Sequence, residues 1–282
     1  MTSVILILAA ILVFGLAIFL IAKKSIRRRA LLTAPLPDSW AELFRKDFPR
    51  FFDMPEDLQK SVGGIALVLA LEKNFEACGG LKEVTEEMRA LISVQAALPI
   101  ARLPNHRFYP ELKSILVYPT AFRDRGNRRF GLREEDDRGI HLGESWETGS
   151  IILSWESVLA GGRNSDDGMN VTIHEFTHQL DQINGTDGVP ILRNREAYRK
   201  WAEVFERTYE ELVEDVNDGK GPEPLIDPYG ATNPAEFFAV SSETFFEESE
   251  ELEEEHPDLY EQLKDYYQLD PASWTKRGDR TT

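Results

Sequence analysis

The chain has 282 residues and a single cysteine, Cys78, so an intrachain disulfide is excluded. Its Ala-Cys-Gly-Gly surroundings place no histidine or aspartate beside the thiol, and Cys78 reads as structural. Basic residues are scarce. Lys and Arg number 32 against 49 Asp and Glu, a net charge of −17. A body of that sign repels phosphate backbones, and no nucleic-acid partner is expected. Acids, in turn, are missing from the start of the chain. None precedes Asp38, whereas Lys23, Lys24, Arg27, Arg28 and Arg29 cluster there.

Val4 to Ala22 carries no charge at all and consists almost entirely of Ile, Leu, Val, Ala and Phe. It lacks a positive n-region before it and a small-x-small site after it, which excludes a cleaved secretory signal. As a helix it would be about 28 Å long, close to the hydrocarbon thickness of a bilayer. The expectation is one transmembrane helix over 4–22, after a short N-terminus at 1–3. The cations on its C-terminal side predict a single pass through the inner cell membrane with the body facing the cytoplasm. The same cations can hold anionic lipid head groups. Residues 23–37 are then expected as a basic juxtamembrane segment and linker, since Pro35 and Pro37 oppose a continued helix. The folded domain is placed at 38–274 and a fraying tail at 275–282.

With 42% hydrophobic and 29% charged residues, the body has ample material for a core. Trp40, Leu43, Phe44, Phe48, Phe51 and Phe52 form an aromatic amphipathic segment broken at Pro49. A helix through Leu58, Val62, Ile65, Leu69 and Glu72 follows, with Asp53 as candidate cap and Gly79-Gly80 as stop. Thr85 caps a helix over 86–97. Residues 114–119 read as a strand. Phe122 to Gly143 is charged and without period and predicts a long surface loop, a candidate cover for a site. His141 at its end, like His106 and His256, reads as surface or structural. Residues 144–155 suggest a hairpin leading to an edge strand that could pair with an extended substrate. A Gly161-Gly162 turn is expected after it.

The chemistry is concentrated in Val171 to Asp181, VTIHEFTHQLD. His174 and His178, four apart, lie on one helix face and can reach one metal ion, while Glu175 can serve an activated water as general base. Val171, Ile173, Phe176 and Leu180 suggest a buried helix, and Asn170 is its natural cap. The bland alternative is a core helix whose histidines bond backbone carbonyls, so a third ligand is required. Asp181 is a candidate to orient a ligand histidine, or simply a helix-ending acid.

That third ligand is sought in DPYGATNPAEFFAVSSETFF, residues 227–246. Asn233 caps and Pro234 opens a helix with Glu236 in its first turn. Glu236 could equally be a capping-box acid. Glu243, on the same face, is the rival ligand. Glu236 is preferred because Tyr229 accompanies it, with a phenol suited to an oxyanion. Beyond lie a solvated acidic run at 247–258 and a last amphipathic helix through Leu259, Leu263 and Tyr267.

Together with LGESWETGSIILSW and GMNVTIHEFTHQLD, this segment resembles the Mlc titration factor A family of zinc metallopeptidases, over roughly Trp40 to Trp274. The resemblance implies a mostly helical α+β zincin-like domain with a small sheet, of the gluzincin type. It implies one Zn2+ held by His174, His178 and Glu236, with Glu175 as base and Tyr229 as oxyanion donor. The substrate would be a peptide or protein. The alternative is a regulatory binding protein of the same fold that sequesters a transcriptional regulator.

Overall fold

Apolar spacing at helical period runs through most of this chain, and helices result. The computed structural model describes residues 2–104, 108–120, 149–183, 185, 188–219 and 224–274, with side chains described from residue 10 onward except residue 17. In order come α1 (Thr2–Leu32), α2 (Asp38–Asp47), a 3-10 turn (Pro49–Phe52), α3 (Glu56–Glu72), β1 (Asn74–Ala77), α4 (Glu86–Ala97), β2 (Ser114–Tyr118) and β3 (Ser150–Ser154). Then follow α5 (Trp155–Arg163), α6 (Val171–Asp181), α7 (Arg195–Asp218), a 3-10 turn (Pro228–Thr232), α8 (Pro234–Glu247), α9 (Ser249–Glu255) and α10 (Pro257–Tyr267). A last 3-10 turn spans Pro271–Ser273. The fold is α+β, mostly helical with a small sheet.

Among the described residues the sheet is parallel, in the order β1-β2-β3, with Phe75 opposite Ile115 and Ile115 opposite Ile151. One core joins α2 through the C-terminal turn, from Trp40 to Trp274. It includes both the sheet residues Ile115, Val117, Ile151 and Leu153 and the helix residues Phe176, Phe237 and Phe245. β1 is absent from the sequence reading. Asn-Phe-Glu-Ala is a poor strand sequence with one buried side chain, Phe75, and pairing with β2 decides its conformation. The residues expected as the long loop and the first arm of the hairpin, 121–148, lie outside the described residues, as do His106 and His141.

Two local expectations are corrected. Trp155 does not end the strand. Ser154 caps a helix there, its hydroxyl accepting from Ser157 N–H at 3.2 Å. Gly161 and Gly162 are not a turn but lie inside α5, where backbones approach closely. A Cβ on Gly162 would meet the Asp47 carbonyl at 2.5 Å, and one on Gly161 would meet Asn170 Cα at 3.0 Å.

The start of the chain also differs from expectation. Among the described residues, no helix is long and apolar enough to cross a membrane. Part of the expected span, residues 4–9, lies outside the described side chains. Nor is the basic segment a loose linker. α1 continues through it to Leu32 because Lys and Arg sustain a helix and no breaker precedes Pro35. Lys24 and Arg28, one turn apart, both reach Glu72 at the end of α3. Arg28 is bidentate, at 2.8 and 2.6 Å, and Lys24 lies at 3.2 Å. Arg28 also stacks over Phe108, 4.6 Å from the ring centroid.

Gly64 lets α1 and α3 touch, since a Cβ there would lie 2.7 Å from the Leu32 carbonyl oxygen and 2.8 Å from its Cα. Gly64→Ala gains about 1 kcal/mol of helix propensity but overpacks by about 1–3 kcal/mol. The expected result is release of the last turns of α1 with the body intact, read as faster proteolysis near Pro35. Acid should act similarly. Burial pushes the Glu72 carboxyl up, but the hydrogen bonds from Arg28 and Lys24 outweigh it and hold it below its ordinary value. Such a group stabilises docking fully above its unfolded pKa and loses that contribution as pH falls through the lowered folded value. Protease sensitivity near Pro35 should therefore rise on acidification.

Candidate metal centre

α6 is short and buried from end to end, including His174, Glu175 and His178. Its first turn is held by Asn170, whose side-chain oxygen accepts from Thr172 N–H at 3.1 Å and Ile173 N–H at 3.0 Å. Its apolar side is fixed by Phe176, which meets the Tyr109 ring edge-on at 4.7 Å. Its far end is tied down by Asp181, which accepts from Gly188 N–H at 3.0 Å. Gly188 lies against the start of α8, and its carbonyl accepts from Trp201 Nε1 at 3.1 Å. Asp181 Oδ1 thus fastens the turn after the helix.

α8 packs directly against α6. Asn233 caps it, accepting from Glu236 N–H at 3.0 Å, and Pro234 occupies its first turn. The Glu236 carboxylate turns toward α6. Its Oε2 lies 3.1 Å from His174 Nε2 and 3.4 Å from His178 Nε2. The two Nε2 atoms are 3.1 Å apart. His174, His178 and Glu236 are all buried and offer donor atoms within 4.8 Å of one another, so they could hold a metal ion. The Glu236 side chain faces the two histidines, while its backbone N–H serves the cap of α8.

Glu243 lies on the opposite edge of His174, with Oε1 2.7 Å from Nδ1. Glu236 and Glu243 therefore face different nitrogens of one ring, and only Glu236 shares a point with both histidines. Charge follows this layout. Burial opposes a charged His174, but Glu243 and Glu236 outweigh it and raise the imidazole well above its usual range. Burial pushes Glu236 up, yet the two histidines hold it well below the ordinary carboxylate range. At Glu175 burial prevails over His174 and His178 and raises the carboxyl.

Tyr229 lies in the 3-10 turn preceding α8, with its N–H donated to Asp227 Oδ1 at 2.8 Å. Its half-buried ring lies 6.1 Å from the His174 ring, centroid to centroid, at 42°. The five residues singled out in the sequence are thus brought to one place. Glu243 was legible only as a rival ligand, because spacing gives its face of α8 but not the histidine edge it meets. β3 packs near α6 and is an edge strand among the described residues. His256 lies at the junction of α9 and α10.

The donor set of two imidazoles and a carboxylate, with a buried acid next to the first histidine, suits a hydrolytic metal centre. Comparison with known proteins agrees. The model of the glucose-regulated metallo-peptidase M90 family matches residues 22–268. An uncharacterized protein of Synechocystis is 38% identical over 249 residues, covering 87% of this chain and 89% of its own. Mlc titration factor A of Yersinia pestis and that of Yersinia pseudotuberculosis are each 30% identical over 239 residues, covering 83% of this chain and 86% of theirs. Because the matched span contains α6 and α8 with the whole His-His-Glu group, the chain belongs to the glucose-regulated metallo-peptidase M90 family.

Proposed function

We propose that this chain is a zinc-dependent peptidase that hydrolyses peptide bonds with Glu175 as general base. The observation that carries this reading is the convergence of His174 Nε2, His178 Nε2 and Glu236 Oε2 on one buried point. The residues fit zinc: two neutral nitrogens and one carboxylate make three protein ligands and leave a fourth position open. One Zn2+ held there would polarise the scissile carbonyl and lower the pKa of the attacking water. Glu175 takes that water's proton and passes it to the leaving amine. Its burial, which raises the carboxyl, favours a base able to return the proton. The Tyr229 phenol donates to the oxyanion as charge develops on the carbonyl oxygen. In this reading an extended substrate backbone pairs along β3, an edge strand among the described residues.

A second reading is supported by the name of the Yersinia relatives, Mlc titration factor A. On it, the chain sequesters a transcriptional regulator and hydrolysis is secondary. The two readings separate on chemistry. Purified chain loaded with zinc should cleave members of a random peptide library, and a chelator should stop it. No cleavage of any member by zinc-loaded chain would leave binding as the function.

Attachment of the N-terminal part of α1 to a membrane, with the body on the cytoplasmic side of the inner membrane, belongs to the same proposal. It is supported by the uncharged run itself and by side chains that the described residues leave uncovered. Ile11, Leu12, Val13, Phe14, Phe19 and Ile21 are each more than 60% exposed, an arrangement costly in water. Protease added outside sealed, right-side-out vesicles should spare the body; its digestion there would reverse the orientation.

A further inference from the structure

We infer that Glu243 is a positioning residue that sets the tautomer of His174, and that Asn170 locks Glu243 in that role. The inference rests on the zinc reading above and concerns how the first ligand is aimed.

A histidine can present Nε2 to a metal only when its proton sits on Nδ1, and the partner of Nδ1 decides this. Glu243 Oε1 lies 2.7 Å from His174 Nδ1. A carboxylate accepts and cannot donate, so it keeps the proton on that nitrogen. The second oxygen is engaged as well: Oε2 accepts the backbone N–H of Asn170 at 2.5 Å. Glu243 is therefore held at both oxygens by two donors.

Asn170 is itself held on every side. Its Oδ1 caps α6, and its Nδ2 donates to Glu247 Oε1 at 3.0 Å. Gly161 of α5 leaves it the space to sit there. Glu243 and Glu247 are one turn apart on α8, and Asn170 spans both. One residue thus starts the metal-bearing helix and fixes the carboxylate that aims its first histidine. The cap and the ligand cannot shift independently.

This geometry requires an acceptor at both ends of residue 243. Glu243→Gln preserves shape but replaces one oxygen with an NH2 group. If the NH2 faces Asn170, two donors meet head-on. If it faces His174, Nδ1 must accept, and the ring proton moves to Nε2 where the metal should bind. Either arrangement weakens ligation.

The test uses the full chain in detergent. Zinc affinity measured by competition with a chromophoric chelator should fall about 10–100-fold in Glu243→Gln, as for loss of a histidine's outer partner. Circular dichroism should show the fold retained. Equal zinc affinity in the folded variant and the unmutated chain would overturn the inference and leave the peptidase reading standing. No zinc binding by the unmutated chain would remove the reading itself, and the inference with it. Should Glu243→Gln fail to fold, 15N NMR of the zinc-loaded, unmutated chain decides. The expected proton of His174 is on Nδ1; a proton on Nε2 would overturn the inference.

Discussion

Glu175→Gln is expected to lower peptide hydrolysis about 100- to 10,000-fold while leaving zinc content and the fold unchanged. The amide occupies nearly the same volume in a buried pocket, so α6 keeps its packing against α8. What disappears is the ability to accept a proton from water and return it to the amine. The substitution also removes a buried carboxyl whose protonation burial already favours, so stability should hold or rise slightly. The same variant separates the two readings in cells. Full physiological function in a Glu175→Gln strain would make sequestration of a partner the working activity and hydrolysis incidental.

Glu236→Ala is expected to bring zinc stoichiometry well below one ion per chain, with affinity reduced by more than the roughly 10–100-fold of an outer partner's loss. Three donors form this centre, and Glu236 Oε2 alone bridges both Nε2 atoms at 3.1 and 3.4 Å. Without it, two imidazoles whose Nε2 atoms are 3.1 Å apart remain in a buried site with no carboxylate between them. The helix itself should survive, since Asn233 and Pro234 hold its first turn without the Glu236 side chain. Metal analysis after dialysis reads the result. Unchanged zinc content in Glu236→Ala would transfer the third position to another residue.

The difference between Glu236 and Glu243 also shows where sequence reasoning stops. Both acids lie on one face of α8, and spacing cannot rank them. The crossing of α8 over α6 does, by bringing the first turn of α8 to the Nε2 side and the next turns to the Nδ1 side. Asp181 is a parallel case. Spacing put it on the histidine face or at the helix end, but did not show that the chain turns back through Gly188, whose N–H its Oδ1 accepts.

The sequence by itself determined what is local. The caps at Thr85, Asn170 and Asn233 were readable because a side chain and the amides it binds are two or three residues apart. HExxH was readable because helix geometry alone places i and i+4 together. Tertiary structure decided whatever depends on partners far along the chain. β1 exists because β2 pairs with it, α1 is held against the body by Glu72, and the Gly161-Gly162 pair sits where neighbouring backbones leave no room for a Cβ. His174 receives its two carboxylates from residues 62 and 69 positions away. Those contacts follow from how helices pack, and packing is a property of surfaces that no single stretch contains.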